Sequence, residues 1–142
     1  MSIERLAALG APTSILTTEL NSLSGPAGVS VLGPEYNNSS NRDRFGIVEL
    51  ALEFVNPPTA GGLVHLFCIP TLDGTVYPDG IVLAQHYVQS IEILSDDAPK
   101  VYVGELFFLL PTKMKFALWN EASEDLEATA NIVKLYTTNR TF

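Results

Sequence analysis

The feature that most constrains the fold is the segment of residues 45–55, in which apolar side chains occupy every second position. Glu49 and Glu53 lie between them. A period of two places successive side chains on opposite faces of a sheet, whereas a helical face requires a period near 3.6. The segment therefore predicts a β-strand with one face in the core and one acidic face in water. The apolar set is Val48, Leu50, Leu52 and Phe54.

Short segments of similar character recur along the chain. Residues 63–69 are almost continuously apolar, which is typical of a strand that is covered on both faces. Gly, Pro, Asn and Asp separate the segments, and these residues favour turns and interrupt β-ladders. Roughly seven or eight strands without a long helix predict an all-β, single-domain antiparallel sandwich. The other candidate strands are residues 14–23, 81–94, 101–110, 113–119 and 131–138.

Three segments are not predicted as strands. Residues 1–14 combine a short helical pattern with a Gly-Ala-Pro break and predict a flexible N-terminal arm, which leaves residues 15–142 as the domain. Residues 24–43 are rich in Gly, Pro, Asn and Ser and predict a long loop. Long loops in compact domains are usually functional, so this loop is a candidate contact element. Residues 120–127 predict an acidic connection that contains one helical turn.

Composition limits the partners that the chain can bind. The chain has 142 residues, which is enough for one core, and 16 acidic residues against 8 basic ones, without a Lys/Arg cluster. We therefore expect no binding to nucleic acid or anionic membranes, because binding phosphates requires clustered cations. Lys113 and Lys115 alternate with apolar residues, and this pattern is compatible with a basic face that lies near the acidic face of the strand at 45–55. The N-terminus has no secretory pattern, which predicts synthesis in a cytoplasm.

No sequence motif assembles a catalytic or cofactor site. His65 and His86 lack the spacing of metal ligands, and His65, which lies in an apolar segment, is expected to be a hydrogen-bonded core or interface histidine. Cys68 lies in an apolar segment and is expected to be buried. Neither a G-x-S-x-G elbow nor a phosphate-binding loop is present. We predict that the chain is not an enzyme and binds no cofactor or metal, with Asp73 and Asp79 as the best positions if calcium were bound.

Three stretches of the sequence resemble a family of small virion proteins of tailed bacteriophages. They are Glu-Leu-Asn-Ser-Leu at 19–23, Ile-Pro-Thr-Leu-Asp-Gly-Thr-Val-Tyr-Pro-Asp at 69–79 and Pro-Thr-Lys-Met-Lys-Phe at 111–116. The resemblance spans most of the chain after residue 13. The chain departs from the family at residues 121–127, where acidic residues replace a turn of small residues.

The resemblance implies a jelly-roll-like β-sandwich on the outer surface of a bacteriophage capsid. It implies a decoration or cement protein that forms a homotrimer and binds the major capsid protein in the virion. Two alternatives stay open: another virion component, such as a head-fibre base, tail adaptor or receptor-binding module, and a carbohydrate-binding domain, favoured by the tyrosines and turn carboxylates. The arm and the 24–43 loop are the expected contact elements. Capsid or subunit contacts are predicted at Ile3, Leu6, Leu9, Ile15, Leu16, Val31, Leu32 and Tyr36.

Overall fold

A computed structural model describes residues 9–26 and 28–139 of the chain. Within these ranges the regular structure is almost entirely β, and two short 3-10 turns lie at Thr18–Leu20 and Ala84–His86. The strands are β1 (Thr13–Leu16), β2 (Ser30–Asn37), β3 (Phe45–Leu52), β4 (Leu63–Pro70), β5 (Tyr87–Glu92), β6 (Lys100–Val103), β7 (Phe107–Phe108), β8 (Lys113–Asn120) and β9 (Ile132–Thr138).

The strands pair in a nested order. β1 pairs with β9, β2 with β8, β3 with β6 and β7, and β4 with β5, all antiparallel, as in one long hairpin folded back on itself. Pairing of β3 with β9 and of β4 with β8 then joins these pairs into two sheets. Sheet A has the order β1-β9-β3-β6, with β7 also beside β3, and sheet B has the order β2-β8-β4-β5. If β6 and β7 are counted as one interrupted strand, this is an eight-stranded jelly roll, so the predicted antiparallel sandwich is confirmed.

The core lies between the two sheets. The inward residues of β3 are buried, as the period of two predicts, and β8 contributes a second buried row from the opposite sheet. Phe116 joins the layers, because its ring centroid lies 6.3 Å from that of Phe107 on β7 and 6.3 Å from that of Tyr36 on β2. The facing rows are Val48, Leu50 and Leu52 on β3, and Met114, Phe116 and Leu118 on β8.

The prediction of a long loop at residues 24–43 is wrong, because β2 occupies the middle of that segment. Gly33 and Pro34 indicated a turn, but Pro34 lies on an edge strand, where a missing N–H is tolerated. The ladder shifts register between Leu32 and Glu35 around it. Gly33 is required by packing, since a side chain there would collide with the carbonyl oxygen of Ile15 on β1.

Other differences concern the ends of strands. The first strand begins at Thr13, inside the predicted arm, and stops at Leu16, while the segment 81–94 forms a strand only over β5. The segment 101–110 divides into β6 and β7 around Gly104, where an added Cβ would lie 2.5 Å from Oε1 of Gln89. The helical turn predicted within residues 120–127 is wrong: Asn120 ends β8, residues 122–124 form bends and Leu126 forms an isolated β-bridge with Phe54.

The acidic and basic strands do not lie side by side, although the charge pattern is compatible with that arrangement. β3 belongs to sheet A and β8 to sheet B. Each finds its opposite charge within its own sheet: Glu49 lies opposite Lys134 on β9, and Lys115 lies opposite Glu35 on β2. The physical reason is that cross-strand pairing acts between neighbours in one ladder, and charge alone does not select the ladder.

Candidate functional site

The loops gather at two ends of the sandwich. At one end the β2–β3, β4–β5 and β7–β8 connections meet the end of β9, and the buried side chain of Asn38 joins two of them, the β2–β3 and β7–β8 connections. Its amide nitrogen donates to the carbonyl of Asp43 at 2.8 Å and to that of Leu110 at 2.9 Å. The Asp43 N–H donates to the Asn38 side-chain oxygen at 3.0 Å. One buried amide therefore fixes two separate loops.

Large apolar side chains project into solvent at this end. The relative exposure is 91% for Leu72, 82% for Phe108, 67% for Val76 and 49% for Leu110. Single exposed apolar residues are normal on a protein surface, but a local group of them marks an interaction site. We call this group, Leu72, Val76, Phe108 and Leu110, the apolar end.

Two adjoining cavities open beside these side chains. A cavity of about 500 Å³ is lined by Leu72 and Val76, and a smaller one of about 180 Å³ is lined by Phe108 and Leu110. The two share Pro70, Gln85 and His86 in their walls. The apolar end is therefore concave as well as apolar, which favours a complementary partner surface.

The β4–β5 loop presents Leu72 and Val76 because of a tight turn around Asp73. The N–H groups of Thr75 and Val76 donate to its carboxylate at 2.9 and 2.8 Å, and the Thr71 hydroxyl donates to it at 3.1 Å. These hydrogen bonds favour the ionised form and lower the pKa of Asp73 to about 2. Within the described residues no three His, Cys, Asp or Glu side chains form a group that could hold a metal ion.

The opposite end is acidic. The β3–β4, β5–β6 and β8–β9 connections meet the segment after β1, and buried Asn120 joins that segment to the β8–β9 connection. Its amide nitrogen donates to the carbonyls of Leu23 and Glu124, both at 3.1 Å, and its side-chain oxygen accepts the Ala122 N–H at 3.0 Å. Lys100 pairs with Asp96 at 3.1 Å. The acidic end is defined by Glu53, Asp96, Asp97, Glu121, Glu124, Asp125 and Glu127.

The outer face of sheet B is covered by the chain itself. Phe67, Ile69 and Ala117 are buried there beneath side chains that include Tyr77 of the β4–β5 loop, so β4 is covered on both faces as predicted. The Tyr77 hydroxyl donates to Glu35 at 2.6 Å. The Lys115 ammonium lies 4.5 Å from the Tyr77 ring centroid.

The Tyr77 contacts also change its acidity. Desolvation, followed by the hydrogen bond to the Glu35 carboxylate and its negative charge, raises the pKa of Tyr77 to about 12. The neutral hydroxyl is thus the form that attaches the loop to β2 at ordinary pH.

The outer face of sheet A, by contrast, carries exposed apolar side chains. Val101 and Val103 on β6 are 65% and 68% exposed. Phe108 packs against Phe45 across the β3–β7 ladder, with ring centroids 5.2 Å apart. None of the described loops buries these valines.

A polar row crosses the β4–β5 ladder, and the sequence motifs did not reveal it. His65 lies between Ser90 and Glu121, with Nδ1 2.6 Å from the Ser90 hydroxyl and Nε2 hydrogen-bonded to the Glu121 carboxylate. The Tyr87 hydroxyl lies 2.7 Å from the Ser90 hydroxyl, and the Trp119 ring centroid lies 5.0 Å from that of His65. Only the register that places His65 opposite Ser90 brings these groups together.

This row contains a hydroxyl, an imidazole and a carboxylate, which is the set used in nucleophilic catalysis. Such catalysis also needs hydrogen-bond donors that are already positioned to stabilise the developing oxyanion. These donors usually contribute the largest single part of the rate enhancement. The contacts of the row are all within the chain and join β4, β5 and the start of the β8–β9 connection. We interpret the row as a cross-strand network that fixes register.

Cys68 and His86 line the smaller cavity at the apolar end. Burial raises the pKa of Cys68 to about 12, so its thiol stays protonated at neutral pH. His86 is buried, and its Nδ1 has no hydrogen-bond partner in the part of the chain that the structure describes. The expectation of a hydrogen-bonded His65 is confirmed by its contacts with Ser90 and Glu121.

The predicted contact residues occupy very different places. Ile3 and Leu6 lie outside the described residues, and Leu9 and Leu32 are exposed. Ile15 and Leu16 are buried in the core, because a register shift in β1 turns these two successive side chains inward. Val31 and Tyr36 are partly buried and pack against the core.

No protein-family model matches the chain, and no curated protein is detectably similar to it. The resemblance to phage virion proteins therefore stays a prediction. Among residues 9–26 and 28–139, no helix is long and apolar enough to cross a membrane.

Proposed function

We propose that this protein is a virion structural protein that binds the outside of a bacteriophage capsid and stabilises it, as a decoration or cement protein. The observation that carries the proposal is the separation of the apolar end from the acidic end on one small sandwich. An apolar end gains free energy when a partner removes it from water, whereas a cluster of carboxylates favours solvent. This polarity suits one-sided attachment to a protein surface.

The course of β1 supports the same orientation. Thr13 lies opposite Leu135 and Ser14 opposite Lys134, in antiparallel register. Residues 9–12 therefore lead toward the end of β9, which lies at the apolar end, and Leu9 is exposed there. In the proposal, the N-terminal arm adds contacts to the same partner, which is the major capsid protein.

The apolar area predicts weak binding by one copy. Burial of an exposed Val, Leu or Phe side chain contributes about 1.5–3 kcal/mol, so the apolar end offers roughly 6–12 kcal/mol. Association itself costs about 4–15 kcal/mol in lost translational and rotational freedom. Strong attachment then requires many copies on a repeating lattice or a symmetric oligomer, in which the contacts act together. Many copies acting together is how a cement protein works.

The proposal is tested by mixing the purified protein with expanded capsids of the phage that encodes it, followed by sedimentation and electron cryomicroscopy. We expect saturable binding and density spread over the outer surface of the shell. Density at a single vertex would instead support a head-fibre base or tail adaptor. Absence of binding, together with absence of the protein from purified virions, would overturn the proposal.

The alternatives from the sequence have their own tests. A carbohydrate-binding domain needs aromatic faces free to stack on sugars; Lys115 lies over the Tyr77 ring, whereas Tyr87 is 50% exposed and is the position to test. A glycan array without binders is expected. If the chain is not an enzyme, Ser90 should not react with a fluorophosphonate probe, and covalent labelling lost in Ser90→Ala would contradict that expectation.

A further inference from the structure

Four edges border the two sheets of the described residues, and one of them, β6, is protected by its short length and by Pro99 and Lys100 at its start but contains no register shift. β1 and β2 each contain a register shift, and β2 also contains Pro34. β5 shifts register against β4 and carries polar Ser90 and Glu92. Bulges, prolines and charges of this kind prevent edge strands from pairing with another chain. β6 has regular register with β3 and the central sequence Val-Tyr-Val.

The ladder geometry shows which backbone groups of β6 face outward. The Gly104 N–H donates to the Val48 carbonyl on β3 at 2.9 Å. Because antiparallel pairing alternates along a strand, the N–H and C=O groups of Tyr102 also point to β3. Those of Val101 and Val103 point away from it, and they have no hydrogen-bond partner among the described residues.

Glu105 confirms this alternation and shows that the edge accepts partners. Its N–H donates to Oε1 of Gln89 at 2.7 Å, and its carbonyl accepts from Nε2 of Gln89 at 3.1 Å. The amide side chain of Gln89 thus takes the place of a neighbouring strand at this position. Beside it, a groove of about 630 Å³ between β5 and β6 leaves the backbone of Val101 and Val103 accessible.

We propose that β6 pairs with β6 of a second copy of this chain, antiparallel, about a twofold axis at Tyr102. Val101 of one copy then lies opposite Val103 of the other, and each pair exchanges both of its backbone hydrogen bonds. Sheet A continues across the two copies, and the exposed valines pack against each other on its outer face. Such an interface is isologous, because both copies contribute the same surface.

A second copy is the occupant that matches the open groups. Pro99 has no N–H to donate, and Glu105 is already paired, so the free edge extends over Val101 and Val103 alone. A second β6 offers the same short edge and no surplus donors. In this register Lys100 lies opposite Gly104, so no like charges face each other.

The proposal differs from the homotrimer that the sequence resemblance implies. A closed threefold ring joins two different surfaces on each copy, whereas β6 with β6 joins a surface to itself. The solution mass therefore distinguishes the two assemblies, against a chain mass of 15.4 kDa.

The test uses Val103→Pro in the full chain, with Val103→Thr as the matched control. Proline removes an N–H that the chain's own sheet does not use, so the domain should fold, which far-UV circular dichroism and thermal unfolding check. Threonine keeps the N–H and the branched Cβ. In sedimentation equilibrium we expect the wild type and Val103→Thr to form pairs. The Val103→Pro dissociation constant should be at least tenfold higher.

A second variant keeps the proposal testable if the proline variant fails to fold. Val101→Lys combined with Val103→Lys leaves every backbone group in place but sets lysine against lysine across the axis, and should also give single copies. Hydrogen exchange should show slow amides at positions 101 and 103 in the wild type and in Val103→Thr, and fast amides at both positions in the double-lysine variant. A wild type that stays single at all concentrations, a mass of three copies, or variants that pair as tightly as the wild type would overturn the proposal. Capsid binding by single-copy variants would leave the proposed function intact.

Discussion

The two ends of the sandwich are held in the same way but present opposite surfaces. Asn38 at the apolar end and Asn120 at the acidic end are both buried, and each side chain bonds to backbone groups of neighbouring loops. The difference lies in the side chains that point outward, which are Leu72 and Phe108 at one end and carboxylates at the other. The comparison teaches that a common internal support leaves each end free to acquire its own surface chemistry.

The largest expected effect is on capsid binding, when charge is placed at the apolar end. Leu72→Asp combined with Phe108→Asp should weaken binding at least a hundredfold, since each change removes about 1.5–3 kcal/mol of burial and every 1.4 kcal/mol is tenfold. Co-sedimentation with expanded capsids measures the loss. The matched control is Val55→Asp with Leu94→Asp, because both residues are exposed apolar side chains near the acidic end. Equal losses of capsid binding in the two double variants would show that the apolar and acidic ends do not differ in function.

The next effect is on stability and tests the common support. Asn38→Ala and Asn120→Ala should each lower the free energy of unfolding by about 3 kcal/mol, because each leaves buried backbone groups without partners. Urea unfolding measures both, with exposed Asn56→Ala as a control that should change little. Only Asn38→Ala should also weaken capsid binding, since it releases Leu110. Stability unchanged in either variant would contradict the role given to that amide.

A smaller effect concerns acid and the turn that presents Leu72. The pKa of Asp73 lies at about 2 in the folded chain, below its ordinary value of 3.8, because its carboxylate accepts hydrogen bonds from the loop. The ionised Asp73 carboxylate therefore stabilises the folded chain fully above about pH 4, and this stabilisation is lost as the pH falls through 2. NMR shifts of the Thr75 and Val76 amides should follow this titration, and Asp73→Asn should remove it. A midpoint near 3.8 in the wild type would show that the turn does not stabilise the carboxylate.

The smallest effect is expected in alkali, at the loop that covers sheet B. The pKa of Tyr77 is raised from 10.0 to about 12. The neutral Tyr77 hydroxyl therefore stabilises the folded chain fully below pH 10, and this stabilisation is lost as the pH rises from 10 through 12. Tyrosinate absorbance should contain a late component that disappears in Tyr77→Phe. Glu35→Gln should move that component toward lower pH, because it removes the neighbouring negative charge. An unchanged titration in Glu35→Gln would exclude that carboxylate as a cause.

Much of the fold was predictable because its longest strands alternate with one buried face. β3 follows the period of two along its whole length, since it has the core on one side only, and β8 follows it except at Ala117, which is buried on the outer face of sheet B. β2 was missed because the edge tolerates Pro34, and packing against β1 requires Gly33. Which strands share a sheet depends on contacts between distant segments, so local charge patterns did not predict it.

The candidate site was less predictable. Ile15 and Leu16 are predicted contact residues at the start of a candidate strand, but a register shift turns both into the core. Leu72 and Val76 lie among turn residues. The available signal was that two large apolar side chains occur there without the alternation of a strand. Their grouping with Phe108 depends on the nested pairing, which brings residues far apart in sequence to one end.

The pairing of β1 with β9 has a consequence for engineering the molecule. Residues 9 and 139 both lie toward the apolar end, so a tag or cargo joined beyond either one starts on the side proposed to face the shell. The exposed residues Ala128, Thr129 and Ala130 lie in the β8–β9 connection, on the far side of the domain. A peptide inserted there would be displayed outward on every copy, with the docking side left unchanged.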